Sequence, residues 1–138
     1  MNQFDNMLAK WQPTALSLFR FITGLLLFQY GIAKLFKFPA LPYFAKVELM
    51  SLIGVAGTLE LVLGALLMIG LCTRIVAFVL SGEMAFAYFL GHMFKKPEEP
   101  VFLPLLNGGT AANLFCFACL YLATAGGGPY SADAARGK

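Results

Sequence analysis

Residues 49–94 read LMSLIGVAGTLELVLGALLMIGLCTRIVAFVLSGEMAFAYFLGHMF, two apolar runs parted only by Cys72, Thr73 and Arg74. Each run, about 49–71 and about 75–94, has the roughly 20 apolar residues that carry a helix across a bilayer. A connection this short makes the two helices antiparallel neighbours. Backbone groups in lipid must find partners within the protein, and neither run shows the period-2 alternation of a barrel strand. Helices are what remains.

Working outward, a preceding run at about 14–36 is entered through Trp11 and Pro13 and left through Lys34, Lys37 and Pro39. Trp and Lys are membrane-edge residues. A following run at about 105–125 is separated from the third by Lys95, Lys96, Pro97, Glu98, Glu99 and Pro100, and Gly126, Gly127, Gly128 and Pro129 stop it. The expected fold is an all-α membrane protein, an antiparallel four-transmembrane-helix bundle forming one domain over residues 1–138. Composition agrees: 59% of the 138 residues are apolar and 12% charged, with a mean hydropathy of +0.76, against about a quarter charged in soluble domains. That excludes a soluble fold and leaves no room for a separate catalytic domain. The net charge of +3 comes from scattered residues, so nucleic-acid binding has no support. Met1 to Pro13 lacks the pattern of a cleavable leader.

An even number of spans puts both termini on one side, side A, with Lys10, Arg74, Arg136 and Lys138; side B holds Lys34, Lys37, Lys46, Lys95 and Lys96. Four basic residues against five do not set the orientation. Gly24 with Gly31, Gly57 with Gly64, and Gly108 with Gly109 supply small residues for close helix approach.

Arg20, Glu60 and Glu83 fall inside the spans, where an ionised side chain costs at least about 2.5–3.5 kcal/mol on insertion scales. At 1.5 Å per residue, Arg20 lies about 9 Å below side A, Glu83 about 13 Å, Glu60 about 16 Å and Asn113 about 18 Å. The expectation is one buried polar layer of Arg20, Glu60, Glu83 and Asn113. Arg20, Gly24, Gly31 and Lys34 share a line on the first helix to within about 40°. Two carboxylates against one guanidinium leave an excess acid, so one glutamate is expected to be neutral near pH 7. Two readings stay open: a clasp that fixes helix register, or a proton carrier or small-molecule site.

A second polar group, Lys34, Tyr88, His92 and Asn107, is read as a mouth at side B. His92 is the only histidine, so a multi-histidine metal or haem site within the chain is excluded, and no metal site is expected. Cys116 and Cys119 form a C-x-x-C pair flanked by Phe115, Phe117, Ala118 and Leu120; apolar surroundings favour packing cysteines over a redox pair. With Cys72 they give no disulfide framework.

Arg20, Gly24, Gly31 and Lys34 on the first helix, Glu60-x-x-x-Gly64-x-x-x-x-x-Gly70 running into Thr73-Arg74, GEMAFAYFLGH at 82–92, PLLNGGTAANLFCFACLYL at 104–122 and the terminal GGGPYSAD make a pattern that resembles the DoxX family of small four-helix membrane proteins. The resemblance covers nearly the whole chain. Similar members often carry a carboxylate after the Asn-Gly-Gly triplet, where this chain has Thr110. The resemblance implies a bacterial inner-membrane protein, multi-pass, serving as a subunit or accessory factor of a membrane oxidoreductase. It implies a quinone as cofactor, none being intrinsic to the chain, and a membrane or peripheral redox protein as partner beside the lipid bilayer. Two further classes are weighed: a small proton-coupled transporter or permeation unit, which four short helices would build only as a homo-oligomer, and a structural assembly factor.

Overall fold

The computed structural model describes residues 2–38, 40, 42–45, 47–96 and 98–137. Pro39, Lys46, Pro97 and Lys138, read above as loop and membrane-edge residues, lie outside them. The described elements are helical: α1 (Gln3–Lys10), α2 (Gln12–Leu35), a 3-10 turn (Pro42–Phe44), α3 (Leu52–Ile69), α4 (Thr73–Tyr88) continued by a π-helical turn (Phe89–Met93), α5 (Pro104–Asn107), α6 (Thr110–Ala125) and α7 (Ala132–Ala135).

Three helical stretches among the described residues are long and apolar enough to cross a membrane: Gln12–Leu35, Leu52–Ile69 and Thr73–Met93. The fourth expected run departs from a single span. Pro104 opens a short helix, Gly108 turns left-handed at φ +74°, and the Asn107 side chain accepts the Gly109 N–H at 2.8 Å. The chain therefore breaks at Gly108 and Gly109 and restarts as α6, whose 16 residues reach about 24 Å against a hydrocarbon core of about 30 Å.

The helices pair off. α2 packs most extensively on α3 and α4 on α6, and the pairs meet chiefly through α3 and α4. Glycines let the first pair approach closely: a Cβ on Gly24 would stand 2.7 Å from Met68 N, one on Gly64 2.9 Å from Phe28 N, and one on Gly31 2.7 Å from Leu61 Cα. The numbers in each of these opposed pairs total 92, so one antiparallel register runs through α2 and α3. Between α4 and α6, Ser81 Oγ donates to the Cys116 carbonyl at 2.8 Å, and the Tyr88 ring lies where a Gly109 side chain would be. Leu27, Leu67, Val76, Ala77, Leu80, Met84, Cys119 and Leu122 form the core that these pairs enclose. The remaining helical faces expose Leu18, Phe21, Ile22, Val62, Phe78, Phe86 and Phe117, the pattern of a protein solvated by lipid.

Candidate functional site

Lys34 sits in the last turn of α2 and Glu60 near the middle of α3. The α2–α3 register sets residue 32 level with Glu60, so the Lys34 side chain need only reach back about half a turn, some 3 Å along the axis. Its Nζ donates to both carboxylate oxygens, at 2.9 Å to Oε1 and 2.7 Å to Oε2. Glu60 is 2% exposed and the Lys34 side chain 12%. Gly57 makes room for the stem, since a Cβ there would fall 2.8 Å from Lys34 Cβ. The ammonium also stands 5.9 Å from the Tyr30 ring centre and 5.6 Å from that of Phe44, within the range of cation–π attraction. Lys34 thus turns its charge into the protein instead of out to the edge.

Glu83 completes the group from α4. The tight α3–α4 reversal places it at the depth of Glu60, and it lies within electrostatic reach of both Glu60 and Lys34. Its two carboxylate oxygens are buried, and neither has a hydrogen-bond partner among the described residues. A buried carboxylate without donors is costly. Such a group offers a place for a proton or for a donor on a bound molecule.

Arg20 does not join the glutamates, contrary to the expected layer. The register puts it some 12 residues, about 18 Å, from the level of Glu60, beside the end of α3. Arg20 is 3% exposed, and its guanidinium donates to the carbonyls of Gly127 at 2.7 Å, Met68 at 3.1 Å and Tyr130 at 3.2 Å. The last carbonyls of a helix lack intrahelical partners and carry the negative end of its dipole, so α3 and the glycine-rich turn supply acceptors much nearer than Glu60. Asn113 lies near the level of Glu83, since Ser81 meets Cys116 and Tyr88 meets Gly109, but its Nδ2 donates to Gly109 O at 3.2 Å and not to a glutamate.

Around Arg20 the terminal GGGPYSAD segment becomes a clasp. Ser17 Oγ donates to Gly127 O and accepts from Tyr130 N. Asp133 accepts from Cys72 N and Thr73 N, each at 2.8 Å, and caps α4 from 60 residues away, while its own N–H donates to Gly70 O at 2.9 Å. Partial burial works against ionisation of Asp133, but the N–H groups of Thr73 and Cys72 and the charge of Arg136 outweigh it and hold the carboxyl below the usual range. Arg74 donates to the carbonyls of Thr124 and Ala123 and closes the end of α6.

At the opposite end, Tyr88, His92 and Asn107 come together. Tyr88 Oη donates to Phe102 O at 2.8 Å and accepts from Asn107 Nδ2 at 3.2 Å; Asn107 Nδ2 also donates to Val101 O at 2.7 Å. His92 Nδ1 lies 3.2 Å from Asn107 O. Lys34, grouped with them on sequence grounds, is instead on Glu60. Cys119 is wholly buried in the core, Cys116 lies beside Ser81, and both are free thiols. No group of three or more His, Cys, Asp or Glu among the described residues is placed to hold a metal ion.

Residues 15–93 match the DoxX family model. Over 129 residues the chain is 36% identical to an uncharacterized protein of Haemophilus influenzae (strain Rd), a match that covers 93% of this chain and 95% of that protein. No solved structure matches.

Proposed function

The chain belongs to the DoxX family, and from that premise we propose that it is an inner-membrane subunit or accessory factor of a quinone-linked membrane oxidoreductase, with Glu83 as its proton-exchanging group. The observation that supports this reading is the orphaned Glu83 carboxyl beside the Lys34–Glu60 pair. Intramembrane acids mark proton and substrate paths by default. In this proposal α6 is a fourth span, short enough that the bilayer thins around it, and both termini share one side.

The residues fit a quinone head group in chemical kind. Glu83 has two oxygens free to donate a proton or accept a hydrogen bond. Such a group, when bound, would supply two-electron, two-proton chemistry that the chain lacks. The chain's own part is electrostatic: Lys34 compensates Glu60, leaving Glu83 to bind and release a proton without breaking an existing hydrogen bond. Arg20 and Asp133 hold the far end rigid and take no part.

Purification in mild detergent, with lipid extraction and protein identification, tests the assignment. Bound quinone or a redox protein is expected with the wild type, and the quinone is expected to be lost on Glu83→Gln. Protein that purifies free of both contradicts the oxidoreductase reading. Glu83→Gln protein that retains quinone at the wild-type level removes Glu83 from the site.

A further inference from the structure

Helix α1 has no place in the proposed proton site, yet its faces are sharply divided. At 100° per residue, Phe4, Met7, Leu8 and Trp11 fall within an arc of about 100°. Gln3, Asp5, Asn6 and Lys10 occupy the other side. All four apolar residues are exposed, Phe4 and Trp11 at 62% each, and α1 buries no residue against the protein. The helix is nonetheless well made: Asn2 and Asp5 form a reciprocal capping box, and Lys10 stands in the last turn. Eight residues with an unpartnered apolar stripe are too short to be stable by propensity alone. Something must cover the stripe.

We propose that α1 lies along the headgroup–acyl boundary and docks this end of the protein onto the lipid surface. Three observations favour lipid as the occupant. First, α2 has 24 residues, about 36 Å of helix, so the hydrocarbon core is already crossed without α1. Second, Trp11 and Pro13 break the helix: Trp11 N bonds Leu8 O in a tightened turn, and Pro13 has no N–H to continue the ladder. Third, the stripe is continuous with an established lipid-facing surface. Leu18, Phe19 and Ile22 are exposed on α2 just beyond it, and an open, mostly apolar groove lined by Gln12, Ala15, Leu16, Phe19 and Tyr121 adjoins the junction. One acidic and one basic residue on α1 leave apolar area, not net charge, as the attraction.

Trp11 is the chain's one tryptophan, so its fluorescence reports the junction directly. In zwitterionic phosphatidylcholine vesicles, bromines high on the acyl chain are expected to quench Trp11 more than bromines near the terminal methyl, with weak quenching by aqueous acrylamide. Moving the reporter by Trp11→Phe with Phe4→Trp is expected to give the same shallow profile at the far end of α1. Adding Met7→Lys and Leu8→Lys to that reporter chain is expected to raise acrylamide quenching at least about twofold, and the fold tolerates these changes because α1 buries nothing. The proposal is overturned by a reporter at position 4 that acrylamide reaches and brominated lipid does not. Shielding from both quenchers also overturns it, since a second copy or another protein would then cover the stripe.

Discussion

The pairing of Lys34 with Glu60 is costly to disturb from one side alone. Two charges taken from water repay their desolvation only when geometry is good and both are kept, and here both carboxylate oxygens are met. Lys34→Met is expected to destabilise the protein by about 3–5 kcal/mol, because it strands Glu60 in an apolar interior. Adding Glu60→Gln is expected to restore much of that loss. Thermal unfolding of the four proteins in detergent gives the coupling, and strict additivity would mean that the two side chains do not depend on one another. Glu60 and Glu83 were legible in the sequence as charges inside apolar runs at similar depth. The partner was not. By run length alone α2 and α3 end level at side A, whereas the register carries α2 past the end of α3. That shift moves Arg20 to the helix end and brings Lys34 into reach of Glu60. The seam shared by Arg20, Gly24, Gly31 and Lys34 already held the signal that both cations face α3.

Among the elements, α4 depends on a cap that no local motif supplies. Cys72, the residue before it, has φ +52° and makes no side-chain cap; Asp133 serves in its place. Asp133→Ala is expected to cost about 0.5–2 kcal/mol, the usual loss on removing an N-cap. Because the folded protein holds this carboxyl below its ordinary range, its stabilisation is complete above the unfolded value and is lost as pH falls through the depressed one. Melting temperature followed down through the acid range should therefore fall more steeply in the wild type than in Asp133→Asn; parallel curves would show that the ionised carboxyl adds nothing. The cap was invisible in sequence because its partners lie 60 residues apart. By contrast the α3–α4 hairpin was legible from two apolar runs and three intervening residues. The break before α6 is hidden in the sequence, although Asn107-Gly108-Gly109 is a turn signal, because the apolar run continues across it.

At the scale of the whole molecule, two helix pairs share one core and differ at their ends. One end is tied by Arg20, Ser17, Asp133 and the glycine-rich segment; the other carries Tyr88, His92, Asn107 and a π-helical turn, a form of helix frequent at functional sites. The proposed four-span topology predicts that tags placed before α1 and after α7 are digested together in one vesicle orientation and protected together in the other. Digestion of one tag alone would leave α6 outside the set of spans. The all-helical, multi-span character followed from composition and run length, because lipid as solvent permits few alternatives. The site did not follow as readily, because it depends on register, and register is set by which glycine meets which backbone.

Glu83 is the carboxyl proposed to exchange protons. Infrared difference spectroscopy across a pH titration in lipid tests this most directly, with Glu83→Gln and Glu60→Gln as the comparisons. A protonated-carboxyl band that titrates in the wild type, persists in Glu60→Gln and vanishes in Glu83→Gln is the predicted result. A titrating band unchanged by Glu83→Gln, or none at any pH, would contradict it.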